Sequence, residues 1–286
     1  MSFMNNFVFV SVLCAAFMHA GWNALVKAGS DRLMSITIIS VWSAVLAFPL
    51  LLLVPTPPAA AWPWLGASIA FHTVYKLLLA RAYRLGDMGQ VYPIARGSAP
   101  LLTALLMTYA FNEVLTPVAA IGIFLLVIGV WLMSVRGGRD SATIQTTAVG
   151  YALATAVLIS LYTITDGQGA RIGASALSYA IWLFVFDGLA ILIATGWIRG
   201  PKPVLQTIQR AWRIGAFGAL MSMGSYGIAL WAMRQAPIAS VAALRETSVL
   251  FAAMISFVVL KESLSPWRIT SALLIVSGVV LTRLVT

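Results

Sequence analysis

Residues 112–117 read Asn-Glu-Val-Leu-Thr-Pro, and residues 261–266 read Lys-Glu-Ser-Leu-Ser-Pro, a related hexapeptide 149 positions later. The same offset matches further residues around the two hexapeptides: Arg96 with Arg245, Leu125 with Leu274, Val127 with Val276, Gly129 with Gly278, and Val130 with Val279. The stretches between these matches are apolar and long enough for helices. A hydrophobic chain with two related halves is typical of membrane transporters whose substrate binds between the repeats.

The composition places the chain in a membrane. Hydrophobic residues make up 61% of it and charged residues 9%, whereas a soluble domain carries about 25% charged residues. The single cysteine, Cys14, excludes an intramolecular disulfide, a cluster of thiolate ligands and a CxxC redox pair. We interpret Cys14 as a small apolar residue within a helix.

The chain contains ten apolar segments, each close to the ~20 residues that an α-helix needs to cross the hydrocarbon core. They lie near residues 7–26, 34–53, 62–83, 90–111, 117–135, 147–166, 176–197, 212–233, 238–260 and 267–285. We therefore predict an all-α, polytopic protein with ten transmembrane helices, embedded in the lipid bilayer.

Membrane topology explains the net charge of +10. Twelve of the 18 basic residues fall in the odd-numbered connections between predicted helices, whereas Arg171, Arg234 and Arg283 fall on the other side. The positive-inside rule places the odd connections in the cytoplasm and both termini outside. We therefore expect no binding of nucleic acid, which a basic soluble protein would suggest.

Five helices per half is an odd number, so the second half must enter the membrane with the opposite orientation. The connection at Glu113 carries no basic residue, whereas its counterpart carries Lys261 and Arg268. We place the boundary in the polar stretch 136–147, which gives a first repeat of residues 1–140 and a second repeat of residues 141–286. Two inverted repeats predict a central cavity that opens alternately to either side.

Polar side chains at membrane depth are the candidates for function, because each costs free energy unless a cavity or a partner accommodates it. Two helical faces carry such residues. They are His72, Tyr75, Lys76 and Tyr83 in the third segment, and His19, Trp22 and Asn23 in the first. Snorkelling to the interface is the structural alternative for Lys76, and a lone histidine is more often structural than functional.

Two arginines, Arg96 and Arg245, lie at matching positions of the two halves, with Tyr92 one turn before the first and Glu246 directly after the second. An ion pair with Glu246 would lower the cost of burying Arg245 and is the structural alternative. The functional interpretation is that one of the guanidinium groups binds a carboxylate, which its planar fork matches. Three aromatic residues complete the candidate substrate-binding set: Tyr162, Trp182 and Tyr226.

The fourth segment contains Pro93 and Pro100, each of which removes a helix hydrogen bond and crowds the carbonyl four residues before it. In lipid an unsatisfied carbonyl is tolerated only where protein or a wet cavity covers it. We expect a kink in this helix, which either serves packing or lines the substrate site.

Catalytic motifs are missing from the sequence. It has no HExxH, no GxSxG and no GxxxxGK[ST], the motifs of metalloproteases, serine hydrolases and nucleotide-hydrolysing enzymes. Two distant histidines and one cysteine do not make a metal set. We therefore predict a protein that is not an enzyme and that has no cofactor and no bound metal.

The chain resembles the drug/metabolite transporter superfamily, specifically the EamA-like permeases. The resemblance rests on the two five-helix repeats, on the Glu-x-Leu-[Ser/Thr]-Pro signature before each last helix, and on residues 19–27, His-Ala-Gly-Trp-Asn-Ala-Leu-Val-Lys. By similarity to the YddG-type exporters, it implies efflux of amino acids, aromatic ones included, across a bacterial inner membrane. In such a membrane the positive-inside rule places both termini in the periplasm. Small multidrug exporters of this superfamily use a first-helix glutamate for proton coupling. This chain has no acidic residue in that helix, so we expect facilitated export without tight coupling.

We expect a monomeric alternating-access carrier whose small-molecule substrate is an amino acid or a similar metabolite. The candidate acceptors for its ammonium are Asn23, Glu246 and helix-break carbonyls, and the candidate donors for its carboxylate are His72, Lys76, Arg96 and Arg245. One alternative is a carrier of another anion, such as a phosphonate or a nucleotide sugar. A second is a proton-coupled exporter of cationic drugs that depends on Glu246 or Asp187. A membrane enzyme or a scaffold is the alternative outside transport.

Overall fold

The computed structural model describes residues 5–85, 88–135, 146–260 and 266–285. This part consists of α-helices, two short 3₁₀ segments (Phe48–Leu52 and Ala59–Ala61) and connections, with no strand. The helices are α1 (Asn6–Ala28), α2 (Arg32–Ala47), α3 (Trp62–Leu85), α4 (Met88–Phe111), α5 (Pro117–Val135), α6 (Thr146–Ile172), α7 (Ala176–Arg199), α8 (Pro201–Arg210), α9 (Trp212–Met233), α10 (Ile238–Arg245), α11 (Ser248–Leu260) and α12 (Pro266–Val285). The all-α class is confirmed.

Seven helical stretches of the described part are long and apolar enough to cross a membrane. They are Asn6–Ala28, Arg32–Leu52, Ile94–Phe111, Thr146–Ile172, Ala176–Arg199, Trp212–Met233 and Ile238–Ile255, and Pro117–Met133 is a shorter apolar stretch. The other two predicted spans form α3 and α12. Because α3 carries His72, Lys76, Arg81 and Arg84, it is less apolar than its neighbours. A polytopic membrane protein is confirmed, and the count of ten spans stays a prediction.

Two of the predicted segments differ in how regular their helices are. The helix α4 runs through Pro93 and Pro100 as one helix, and the kink expected there stays a prediction. The ninth predicted segment instead divides between α10 and α11, where the N–H groups of Glu246 and Thr247 bond to carbonyls three residues before them. That spacing is typical of a tight 3₁₀ turn. The division falls directly after Arg245, beside the predicted site.

The first hexapeptide is a helix-to-helix connector in which four residues have a structural role. Asn112 has a φ of 52°, and asparagine tolerates this left-handed conformation at the end of a helix. The Glu113 N–H bonds to the Met107 carbonyl at 2.9 Å, which closes the end of α4. The Thr116 hydroxyl accepts a hydrogen bond from the N–H three residues further on, at 3.3 Å, and Pro117 begins α5, as is usual for a first helical residue. Most of the second hexapeptide lies outside the described residues.

The helix packing follows the two-repeat organisation of the sequence. The helix α1 packs against α9 and α3 packs against α6, while α2 packs against α7 and α5 against α12. In the second half, α6, α7, α9 and α12 correspond to α1, α2, α3 and α5 of the first half. Exchanging the halves therefore turns the α1–α9 contact into the α3–α6 contact, and it leaves the α2–α7 and α5–α12 contacts unchanged. This is the pattern that two related bundles with one shared interface produce. The predicted boundary at residues 136–147 lies mostly outside the described residues.

The contact between α5 and α12 repeats itself around a two-fold axis. A Cβ atom at Gly129 would lie 2.9 Å from the Ser271 carbonyl oxygen, and a Cβ at Gly278 would lie 2.5 Å from the Gly122 oxygen. The offset of 149 residues in the sequence converts the first contact into the second. Since the partner positions on α12 descend as those on α5 ascend, the two helices are antiparallel. Repeat-related helices that pack antiparallel fit two inverted copies.

Candidate functional site

A small cavity lies at the centre of the bundle, between helices of both halves. Its volume is about 60 Å³, room for a few water molecules. Eight of the fourteen predicted residues line it: His19, Trp22, His72, Tyr75, Lys76, Tyr162, Tyr226 and Arg245. The structure thus brings together residues from α1, α3, α6, α9 and α10. The wall also contains Ser40, Ser43, Asp187, Ser222 and Ser225, which were not among the predicted residues.

Four predicted residues lie elsewhere or outside the described part. The Asn23 side chain donates a hydrogen bond to the His19 carbonyl at 2.9 Å and does not line the cavity. Trp182 packs edge-on against Trp62 and is also absent from the cavity wall. The side chains of Tyr83 and Tyr92 lie outside the described residues. Helical spacing placed Asn23 on the correct face, but it could not show that the amide bonds to its own helix.

Arg96 and Glu246 form an ion pair beside the cavity, with 2.8 Å between Nη2 and Oε1. Both side chains are buried, and they border a second, smaller space that they share with Arg245. The predicted structural alternative paired Glu246 with Arg245. The two charges do interact, but the ion pair of Glu246 is with Arg96, which comes from α4.

Arg245 is the exceptional cation of the site. Its side chain is buried, with 4% of the residue exposed, and its guanidinium carbon lies 4.9 Å from the centre of the Tyr226 ring. It makes no hydrogen bond or ion pair with a described residue, and its Nε is buried without a partner. Glu246 attracts Arg245 electrostatically but is already paired with Arg96, and a buried cation that shares its counter-ion with a second arginine is costly. The cavity in front of Arg245 therefore favours an anion.

Lys76 is held by α2 and α7 and does not extend to the membrane surface. Its Nζ donates to the Ser40 hydroxyl at 3.0 Å and forms an ion pair with Asp187 Oδ2. The snorkelling alternative is therefore wrong. Asp187 has a second oxygen, Oδ1, that is buried without a hydrogen-bond partner in the described part of the chain. The pair thus offers the cavity an acceptor as well as a cation.

Asp166 lies behind the cavity wall and is fully buried. Its Oδ2 is 3.0 Å from His72 Nε2 and accepts a hydrogen bond from the Tyr226 hydroxyl, while its Oδ1 accepts from the Tyr179 hydroxyl at 3.0 Å. The candidate set omitted Asp166 and Tyr179. The only signal in the sequence was an acidic residue inside an apolar segment, because the three donors come from other helices.

Aromatic rings form much of the wall. The His72 ring stacks on Tyr162, with ring centres 4.0 Å apart and planes 26° apart, and Tyr75 lies 5.0 Å from Tyr162. On the first helix, His19 and Trp22 meet edge to face at 5.0 Å. Flat ring surfaces with polar edges suit an apolar or aromatic group better than a strongly hydrated one.

Comparisons with known proteins agree with this architecture. A family model described as the EamA-like transporter family matches residues 6–135 and 146–284. One protein of known crystal structure superposes with a TM-score of 0.71, covering 97% of this chain and 96% of that one. The two sequences are 16% identical, so this likeness shows the fold alone. No curated protein matches the sequence significantly.

Proposed function

Since the chain belongs to the EamA-like transporter family, we propose that it exports amino acids, aromatic ones included, by alternating access. That it is a membrane transporter of small molecules follows from the family, and the proposal concerns substrate and mechanism. The observation that carries it is Arg245, a buried cation that lines the cavity and forms no ion pair of its own in the described part of the chain, since its acidic neighbour Glu246 is paired with Arg96.

The carboxylate of the substrate binds Arg245. The planar guanidinium can donate two parallel hydrogen bonds to a carboxylate, which is the pairing its geometry suits best. Lys76 and Arg96 were alternative donors, but each already has an acidic partner. An anion at Arg245 would neutralise the one cation of the described cavity wall that lacks such a partner.

The ammonium of the substrate binds Asp187. This residue lines the cavity, and its Oδ1 is without a hydrogen-bond partner among the described residues. The acceptors expected from the sequence are less suitable, because Glu246 pairs with Arg96 and Asn23 bonds within its own helix. The rings of Tyr75 and Tyr162 supply a surface for the apolar side chain.

Transport requires the cavity to widen. Pockets for small molecules usually measure about 300–1,000 Å³, whereas this cavity measures about 60 Å³. We propose ten transmembrane spans in two inverted repeats, residues 1–140 and 141–286, that separate alternately on the two sides. The protein works as a monomer in a bacterial inner membrane with both termini in the periplasm, and it exports its substrate without tight ion coupling.

The test is exchange of labelled phenylalanine and leucine by the purified protein in proteoliposomes. Arg245→Ala should weaken the apparent affinity at least about tenfold, since a hydrogen bond to a charged group contributes about 1.5–3 kcal/mol. Arg245→Lys should recover only part of it, because an ammonium lacks the planar fork. The matched control is Arg210→Ala, which removes an exposed arginine of α8. Unchanged exchange by Arg245→Ala would overturn the proposal.

A carrier of other small anions is the second candidate, because two cations, Lys76 and Arg245, line the same cavity. Competition distinguishes the two. If phenylphosphonate inhibits exchange and phenylalanine does not, the substrate is an anion without an ammonium group. Export of cationic drugs is less favoured, since the described cavity wall carries two cations, Lys76 and Arg245, against one acidic residue, Asp187.

A further inference from the structure

Asp166 connects three helices without touching the cavity. The donors to its carboxylate are His72 from α3, Tyr179 from α7 and Tyr226 from α9. Two of these donors, His72 and Tyr226, line the cavity, whereas neither Tyr179 nor Asp166 does. Hydrogen bonds to a buried carboxylate are short and strong, so they fix the orientation of the rings that donate them.

The Tyr226 ring is the surface on which Arg245 rests. The hydroxyl of Tyr226 donates to Asp166, and the ring carries the Arg245 guanidinium at 4.9 Å. Arg245 has a competing partner, because Glu246 follows it directly and Glu246 Oε2 is buried without a hydrogen-bond partner among the described residues. A cation over an aromatic face is attracted to it. A fixed Tyr226 ring therefore keeps the guanidinium at the cavity.

Asp166 fixes a second part of the wall in the same way. His72 is bonded to the carboxylate through Nε2, and the face of its ring stacks on Tyr162. A ring that is held at one edge and on one face has a single orientation left. The flat surface that His72 presents to the cavity thus depends on Asp166.

We infer that Asp166 is a positioning residue that sets the affinity of the cavity for a carboxylate by holding Tyr226 beneath Arg245 and His72 against Tyr162. The inference rests on the proposed function, in which Arg245 binds the substrate carboxylate. Asp166 acts through its neighbours and does not contact the substrate. Its role therefore predicts an effect on affinity that loss of packing alone would not produce.

Two tyrosine variants separate positioning from stability. Tyr226→Phe and Tyr179→Phe each remove one hydrogen bond to the same carboxylate, so both should lower the thermal midpoint similarly. Only Tyr226→Phe frees the ring under Arg245. In phenylalanine exchange it should raise KM roughly fivefold to tenfold with Vmax within about twofold, and Tyr179→Phe should leave KM within about twofold. Equal KM changes in both variants, or none in Tyr226→Phe, would overturn the inference.

Asp166→Leu extends the test, since a leucine side chain of similar size accepts no hydrogen bond from His72, Tyr179 or Tyr226. It should raise KM more than Tyr226→Phe does, and if it does not fold, the tyrosine pair still decides the matter. Arg245→Ala in the same assay distinguishes the two failures. If Arg245→Ala exchanges like the unmodified protein, the proposed function fails. If Arg245→Ala is impaired and Tyr226→Phe is not, only the positioning role fails.

Discussion

The two ends of the helix bundle are held together in different ways. At one end, Arg171 of α6 donates from Nε to the Met233 carbonyl at 2.9 Å and from Nη2 to the Ala236 carbonyl at 3.0 Å, and it pairs with Glu113 at 3.2 Å. Arg234, just after α9, donates back to two carbonyls at the end of α6, both at 3.0 Å. Each arginine thus caps the carboxyl end of the other's helix.

The other end lacks this arrangement. Basic residues also lie in the last turns of the corresponding helices of the first half: Lys27 in α1 and Arg84 in α3. Both side chains are exposed and make no hydrogen bond or ion pair with a described residue. The halves are joined there by Arg199 and Asp31, 2.8 Å apart, whose side chains are 36% and 40% exposed. Corresponding helix ends therefore carry basic residues at both ends of the bundle, but only at the Arg171 end do these residues hold the two halves together.

Carriers built from inverted repeats change state when the two halves exchange conformations. We interpret this structure as the state that is closed at the Arg171 end, the end that the positive-inside rule predicts to lie outside. The cavity agrees, since its wall reaches Trp22 and Ile36 near the Lys27 end. At the Arg171 end it stops at Tyr162 and Tyr226, about two turns short of the arginines.

Among the variants that we propose, Arg171→Ala should most reduce the difference in closure between the Arg171 end and the Lys27 end. It removes three hydrogen bonds of a charged donor, which we expect to cost the closed end about 2–3 kcal/mol after allowance for partial exposure. That corresponds to a shift of roughly 30- to 150-fold between the two states. The measurement uses Ser222→Cys, a cavity residue, in a Cys14→Ala background, and follows its modification by an impermeant thiol reagent from the outer side.

The control for this prediction is Arg84→Ala, the arginine in the last turn of α3 at the other end. Its side chain has no partner in the described part of the chain, so labelling of Ser222→Cys from the outer side should not rise. If both variants raise labelling equally, the arginines do not lock one end, and the comparison between the ends is wrong.

The end contacts also show what the sequence could and could not predict. Hydrophobic runs placed the helices well: the segments 117–135 and 212–233 became Pro117–Val135 and Trp212–Met233. Apolar length is a local property, and a helix in lipid satisfies its own backbone. The ion pair of Glu113 with Arg171 could not be predicted. The Glu-x-Leu-[Ser/Thr]-Pro signature indicates a local turn, whereas Arg171 lies in another helix, 58 residues away.

Gly278→Ala should have the next largest effect. It should destabilise the protein without favouring the opening of either end. The new Cβ would lie 2.5 Å from the Gly122 carbonyl oxygen, so α5 and α12 must move apart, at a cost of about 1–3 kcal/mol. The free energy of unfolding in detergent should fall, and the ratio of outer to inner labelling of Ser222→Cys should not change. Gly129→Ala, its repeat partner, should behave similarly.

The control for the glycine prediction is Gly150→Ala. Apart from its chain neighbours and the nearby backbone of its own helix, no heavy atom lies within 4 Å of the added Cβ. In a helix, alanine is more stable than glycine by about 0.5–1 kcal/mol. It should leave stability unchanged or raise it slightly. A loss as large as that of Gly278→Ala would mean that close helix contact is not the cause.

The sequence could predict many of the residues that line the candidate site, but it could not predict which of the charged residues form ion pairs. Eight of the fourteen predicted residues line one cavity, because helical spacing assigns residues to a face. Which acid meets which base depends on the placement of separate helices. Glu246 therefore pairs with Arg96 and not with its neighbour Arg245, and this choice leaves Arg245 open to the cavity.

Asp31→Asn should have the smallest effect and measures how weakly the Lys27 end is held. Asp31 caps α2 by accepting from the Met34 N–H at 3.2 Å, and an asparagine at this position can still do so, which means that the change tests the ion pair alone. Exposed pairs contribute about 0.2–1 kcal/mol, and labelling of Ser222→Cys from the inner side should rise less than about fivefold. Because salt screens exposed charges, high salt should abolish the difference between the variant and the unmodified protein. A shift as large as that of Arg171→Ala would show that both ends are locked with similar strength, and the assignment of this structure to one transport state would have to be withdrawn.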